Sequence, residues 1–140
     1  GNANYTTVGL ARYVTTVANR GTCYNLTLLD KITDSSGKTI QKNAATVRNT
    51  IQMNPAYWDA ICSGMRQVVE DKPYYNNIGV DVAGKTGTAQ QITTRANHAL
   101  FISFAPYENP EIAIATRIAY GYTSSYAAQI TGDVYRYYYI

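Results

Sequence analysis

A chain of 140 residues is one domain's worth, long enough to bury a core of its own. Hydrophobic residues make up 46% and charged residues 15%, which excludes wholesale disorder. The net charge of +3 is mild and the 12 lysines and arginines are scattered, so no nucleic-acid partner is expected. No apolar run approaches the roughly 18–20 residues of a membrane span, so this segment itself is expected to make no membrane contact.

Residues 7–20 place Leu10, Ala11, Val14, Val17 and Ala18 at helical spacing, with Thr6 or Thr7 to cap the start and Gly21 to end it. Residues 26–42 predict a hairpin turning at Asp34-Ser35-Ser36-Gly37. A second helix is signalled by Asn54 as N-cap, Pro55 at the first helical position, and one stripe of Trp58, Ile61, Cys62, Met65, Val68 and Val69. From Ile78 the pattern turns to strands. Val80 and Val82 alternate with polar or small residues through Lys85-Thr86-Gly87-Thr88. Two further strands, 99–104 and 112–116, flank a turn at 106–110.

Both faces of these strands are mostly apolar, which points to a central sheet covered by helices. A last helix, 124–138, is expected to bury Ala127, Ile130, Val134 and Tyr137 or Tyr138, with Gly132 allowing close packing. The order predicts one domain over residues 1–140, an α+β fold with helices packed on a mainly antiparallel sheet. The chain's 14 tyrosines, crowded at its end, are read as packing of that terminal helix.

Cys23 and Cys62 are too few and too far apart to imply a disulfide framework, and Cys62 reads as a buried small hydrophobe. A single histidine and no paired Cys-x-x-Cys leave too few ligands for zinc, and no metal or cofactor is expected. His98 has no acidic or nucleophilic neighbour in sequence and reads as a strand residue packed at the sheet.

Three patterns compete for the chemistry. Residues 79–86 fit the P-loop pattern G-x-x-x-x-G-K-[ST], but its middle positions are β-formers and Gly87-Thr88 is a poor helix start. Nucleotide binding is therefore a remote alternative. Ser35-Ser36-Gly37-Lys38 is formally Ser-x-x-Lys and Tyr74-Tyr75-Asn76 mimics a Tyr-x-Asn element. The first sits in a predicted turn and the second in a loop beside Pro73, where neither holds a catalytic geometry. The third pattern is Lys85-Thr86-Gly87-Thr88: a cation, two hydroxyls and a glycine on one extended segment suit the grip of a carboxylate.

With Lys85-Thr86-Gly87-Thr88 in that setting, the chain resembles the C-terminal part of a penicillin-binding protein transpeptidase domain, most similar to the class B enzymes. Thr6-Thr7-Val8-Gly9-Leu10-Ala11 with Ala18-Asn19-Arg20-Gly21 resembles the helix after that family's Ser-x-Asn region. The stretch from Trp58 through Met65 to Val69 resembles the helix before the Lys-Thr-Gly strand, and His98-Ala99-Leu100-Phe101 with Phe104-Ala105-Pro106 the strand after it. The nucleophilic Ser-x-x-Lys and the Ser-x-Asn segments have no usable counterpart here, and Thr6-Thr7-Val8-Gly9 stands where Thr-Pro-x-Gln is common.

The resemblance implies part of a β-lactamase/transpeptidase-like fold and a serine D,D-transpeptidase of peptidoglycan synthesis, acting on the D-Ala-D-Ala stem peptide and binding β-lactam antibiotics. It places the parent protein at the extracytoplasmic face of a bacterial membrane, anchored by an N-terminal segment, and makes the nucleophile-bearing N-terminal part a partner of this one. Lys85 and Thr88 would be the catalytic residues, and Lys85, Thr86, Gly87 and Thr88 the substrate-binding ones. Thr88 would act through its backbone N–H as an oxyanion donor, unpaired and facing an open groove. The chain alone is expected to be inactive. The alternative within the same resemblance is a β-lactam sensor or a non-catalytic recognition fragment.

Overall fold

The structure, a computed structural model, describes residues 4–140. Thr6 is extended and its Oγ1 accepts the Gly9 N–H at 3.0 Å, which starts α1 (Thr7–Ala18). The helix stops two residues short of expectation, because Asn19 caps it and the chain turns through positive φ at Arg20 (52°) and Gly21 (108°). At Gly21 a Cβ would also collide with the Ile51 carbonyl, so only glycine fits there.

A two-stranded arm follows. Strands β2 (Lys31–Thr33) and β3 (Thr39–Lys42) form the expected hairpin. Asp34 Oδ1 accepts from the Ser36 N–H, the Lys38 N–H and the Ser36 hydroxyl at its turn. The Ser36 hydroxyl and those backbone amides hold the Asp34 carboxyl below the usual range. Outside this hairpin lies a second antiparallel pair, β1 (Thr22–Tyr24) with β4 (Val47–Thr50), which the sequence reading did not anticipate.

Helix α2 (Pro55–Glu70) starts as expected, with Asn54 Oδ1 accepting the Ala56 N–H at 3.0 Å. Trp58, Cys62, Met65 and Val69 are buried along it, while Ile61 is exposed at the edge of the stripe. Past a 3-10 turn at Pro73–Tyr75 come β5 (Ala83–Ala89), β6 (His98–Ala105) and β7 (Ile112–Ile118), an antiparallel sheet in the order β5-β6-β7. Helix α3 (Ser124–Tyr139) closes the chain.

Alternation along β6 sends side chains into two cores. Phe104 joins Val14, Val17, Cys62, Met65 and Ala83 beneath α1 and α2. Ala99, Phe101 and Ala105 join Val82, Ala127, Ala128 and Tyr135 beneath α3. The α+β layout of helices on an antiparallel sheet is as expected.

Two expectations need correction. First, α3 buries Ala127, Ala128, Thr131, Gly132 and Tyr135, whereas Ile130, Val134, Tyr137 and Tyr138 are exposed. The reason is polar complementarity. Ser103 Oγ lies 2.9 Å from the Tyr135 hydroxyl and Thr116 Oγ1 2.6 Å from Thr131 Oγ1, so the sheet satisfies the hydroxyls that this face buries. Alanines and Gly132 let the helix come close enough for those bonds to form. Burial pushes the Tyr135 phenol far above its ordinary range, against the lowering effect of Ser103.

The second correction concerns residues 79–86. Val80 and Val82 precede the strand rather than forming it, and Lys85 is the third residue of β5, not the start of a helix. No row of helix N-terminal amides is present there to cradle a phosphate, and the one cation lining the nearby hollow, Arg66, is paired with Asp81 beside Glu70. The P-loop reading fails on geometry.

Gly84 is the tightest position of the sheet. A Cβ there would strike the Phe101 ring and lie 3.1 Å from the Ile102 carbonyl, while one at Gly87 would meet only the Leu100 side chain, at 3.4 Å and beyond. Gly84→Ala should therefore destabilise the fold by about 1–3 kcal/mol through overpacking, and Gly87→Ala by less than about 0.5 kcal/mol. Urea denaturation of the two variants checks this, and equal midpoints would contradict it. Tyr135→Phe should cost about 1–3 kcal/mol in the same assay, because it leaves the buried Ser103 hydroxyl without this partner.

Candidate functional site

Lys85, Thr86, Gly87 and Thr88 occupy consecutive positions in the middle of β5, opposite Ile102, Phe101, Leu100 and Ala99 of β6. Among the described residues β5 pairs with β6 alone, so its other edge carries no strand. Lys85 and Thr88 are exposed, and Thr86 and Gly87 are half-buried. Lys85 faces the α1/α2 side with Ile102, and Thr86 the α3 side with Phe101. Strict alternation thus separates the two side chains, and the open edge is the one place where both approach a common ligand. Lys85 Nζ donates to the Thr86 carbonyl at 2.8 Å, folding the cation along that segment.

Both ends of the strand are held. Ahead of it, Arg66 on α2 donates to Asp81 Oδ1 at 2.7 Å, and the Asp81 carbonyl accepts the Tyr107 N–H at 2.8 Å. Past it, His98 lies directly across from Ala89 and hydrogen-bonds Gln91, in the loop that leaves the strand. Sequence pattern pointed to neither anchor. Asp81 passed as one polar position of an alternating run, and the partners of Arg66 and His98 lie too far along the chain for periodicity to register them.

Two hollows border these anchors. One of 740 Å³ lies between α2 and residues 75–82 and touches none of Lys85, Thr86, Gly87 and Thr88. A second, of 480 Å³, lies at the far end of the strand, lined by Tyr5, Leu10, Ala89, Gln91, His98 and Arg117 among others. The larger hollow is the less relevant, because the four-residue segment lies nearer the smaller one along β5.

Among the described residues the other candidate motifs are engaged elsewhere. Ser35 and Lys38 belong to the exposed hairpin turn, with Lys38 bonded through its backbone N–H to Asp34. Tyr75, of the Tyr-x-Asn mimic, is buried with its hydroxyl donating to the Ala128 carbonyl at 2.8 Å, and Arg136 donates to the Tyr74 carbonyl. That segment packs α3. Cys62 is buried, and burial pushes its thiol up despite the opposing pull of Arg20. Cys23 is likewise buried and unpaired. Among the described residues no cluster of three or more His, Cys, Asp or Glu could hold a metal ion, and no helix is long and apolar enough to cross a membrane.

Comparison with known proteins gives the family. Penicillin-binding protein 2B of Streptococcus pneumoniae is 28% identical over 127 residues, covering 80% of this chain and 19% of that protein. Penicillin-binding protein 2A of Bacillus subtilis is 28% identical over 135 residues, covering 84% of this chain and again 19% of the relative. The chain thus spans about a fifth of the length of the curated relatives it matches. Among solved structures, S. pneumoniae penicillin-binding protein 2B superposes with a TM-score of 0.83 at 26% identity, over 96% of this chain and 25% of that one. An imipenem acyl-enzyme complex of penicillin-binding protein A from Mycobacterium tuberculosis shares the fold, with a TM-score of 0.81 at 24% identity, over 99% of this chain and 32% of that one. Residues 1–136 match the family described as the penicillin-binding protein transpeptidase domain, and the chain belongs to that family.

Proposed function

We propose that this chain supplies the substrate-binding strand of a serine D,D-transpeptidase, which cross-links peptidoglycan stem peptides through a serine acyl-enzyme and is acylated by β-lactams. The observation that carries the reading is the open edge of β5 at Lys85, Thr86, Gly87 and Thr88, on a chain of the penicillin-binding protein family. The names of relatives support it. One, from Acinetobacter baumannii, is a peptidoglycan D,D-transpeptidase, 32% identical over 106 residues. The reaction takes place at the extracytoplasmic face of a bacterial membrane, where peptidoglycan is built.

In this reading the Thr88 N–H is one of two oxyanion donors, and the nucleophilic serine comes from another segment of the domain. In an antiparallel strand the N–H and C=O of one residue point to the same edge, and successive residues alternate. The Lys85 contact with the Thr86 carbonyl supports the phase in which Thr86 and Thr88 turn outward and Lys85 and Gly87 pair with β6. The outward amides then pair with substrate as an added strand would, and Gly87 keeps the approach clear. Lys85 brings positive charge to the terminal carboxylate and to the serine–lysine proton network, and the Thr86 and Thr88 hydroxyls donate to that carboxylate. Such charge-assisted bonds are stronger than neutral ones.

No lysine lies on an α-helix among the described residues, so none of Ser35, Ser36, Ser63, Ser103, Ser124 and Ser125 has a helical lysine to activate it. Incubated alone with a fluorescent penicillin, the chain should therefore show no covalent band on denaturing electrophoresis. The full-length protein carrying it should be labelled stoichiometrically. In that protein Lys85→Ala should slow acylation by about 10²-fold, the order found for loss of one electrostatic contact to the transition state. Thr88→Val, which keeps the backbone donor, should slow it by about 10-fold through loss of a single bond to the carboxylate. Stoichiometric labelling of the chain alone, at Ser35 above all, would overturn the assignment, as would full activity in Lys85→Ala. A sensor without turnover would be acylated yet release no cross-linked product from stem peptides.

A further inference from the structure

His98, 7% exposed, opens β6 directly across from Ala89, the residue after Thr88. Both of its ring nitrogens are engaged from elsewhere in the chain. The Tyr120 backbone N–H donates to Nδ1 at 3.0 Å, which leaves the proton of a neutral imidazole on Nε2. That proton is donated to Gln91 Oε1 at 2.7 Å. The Tyr120 hydroxyl reaches the same oxygen at 3.4 Å, and its ring lies 4.7 Å from the imidazole. Arg95, from the loop after β5, stands 5.0 Å over the Tyr120 ring. Tyr120 keeps a φ of 53°, unusual for so bulky a residue, within the turn between β7 and α3. One side chain thus ties together the strand exit, the loop beyond it and that turn.

We propose that His98 is a positioning residue for the reaction at β5: its neutral imidazole clamps the chain leaving Thr88 to the β7–α3 turn, and protonation releases the clamp. The consequence for acylation rests on the transpeptidase reading, whereas the clamp itself does not. The chemistry is direct. An imidazolium carries a second N–H, on Nδ1, and would aim it at the Tyr120 N–H, setting two donors face to face. Neighbouring groups offer no compensation. Arg117 from β7 and Tyr5 ahead of α1 share the 480 Å³ hollow with His98, Arg95 and Tyr120 stand behind it, and no carboxylate lines that hollow among the described residues. The imidazolium keeps its Nε2–H for Gln91, so the bond lost is the one to Tyr120. The strand exit then stays tied to β6 but no longer to the β7–α3 turn, and the amide of Thr88 lies one residue before that segment.

Hydrogen exchange read by mass spectrometry on the full-length protein tests the clamp. After correction for intrinsic rates, Tyr120 should lose protection in the wild type as pH falls from about 8 to about 5, where histidines ordinarily titrate. Residues 89–97, still bonded through Nε2–H, should lose less. In His98→Asn the side-chain oxygen still accepts the Tyr120 N–H but cannot be protonated, so protection at Tyr120 should become independent of pH. His98→Gln, which keeps a donor for Gln91, should protect the loop but not Tyr120. Exchange that responds neither to pH nor to these substitutions overturns the proposal. Fluorescent-penicillin acylation across the same pH range reads the consequence. The ratio of wild-type to His98→Asn rates should fall by about 3-fold or more toward acid, and a constant ratio with an altered melting temperature would reduce His98 to a structural residue. A wild type that is not acylated at all would sink the transpeptidase reading and leave the exchange result to decide the clamp.

Discussion

The 2.9 Å contact between the Ser103 and Tyr135 hydroxyls, both side chains fully buried, sets where α3 lies on the sheet. A buried hydroxyl without a partner costs about 1–3 kcal/mol, so the helix docks where its polar groups meet those of the strands. One turn back along α3, buried Thr131, which donates to the Ala127 carbonyl, meets the hydroxyl of half-buried Thr116 in a second contact with the sheet. With α3 placed by these two bonds and α1 and α2 packed on the opposite face, the central strand β6 is buried at all but Leu100 and Ile102, which are half-buried. The remaining freedom of the sheet lies at its edges, and one of those edges carries the candidate site.

That edge strand is built for position rather than for stability. Its first residues are buried and tightly packed, with Gly84 against the Phe101 ring, while its middle is half open. The Arg66–Asp81 pair and the Asp81–Tyr107 backbone bond fix it at one end, and the His98–Gln91 bond at the other. Exposed ion pairs contribute little on their own, about 0–1 kcal/mol. Their value here is geometric, since a strand pinned at both ends keeps its outward amides aimed in one direction without a strand on its outer side. Preorganised donors of that kind stabilise developing charge with little reorganisation.

The sequence exposed a good part of this and concealed the rest for physical reasons. Caps and periodicity are local, so Thr6, Asn54 and Pro55 announced α1 and α2, and the apolar runs of β6 and β7 announced a covered sheet. The Lys85-Thr86-Gly87-Thr88 segment was legible as a strand because its surroundings are β-formers and Gly87-Thr88 cannot start a helix. The face that α3 buries was not legible, because hydrophobicity favours Ile130 and Val134 over Thr131 and Tyr135 until their hydroxyl partners on the sheet are known. Strands β1 and β4 were too short to show a period. The partners of His98, 7 and 22 residues away, depend on a positive φ at Tyr120 that no pattern announces.

An unpaired edge strand is ordinarily a hazard, because its free amides invite another chain to pair with them. Proteins blunt such edges with an exposed lysine, and Lys85 fits that protective role as well as it fits a carboxylate grip. The two roles are not rivals. A strand that must admit a substrate backbone cannot be covered, shortened or broken by proline without losing its function. What remains is to place a charge where an intruding strand would have to bury it, and where an anionic ligand would welcome it. Lys85, folded back on the Thr86 carbonyl, stands at that point. In the proposed reading the same cation that discourages a neutral strand would select a peptide ending in a carboxylate, so the solution to the edge problem would also be a source of specificity.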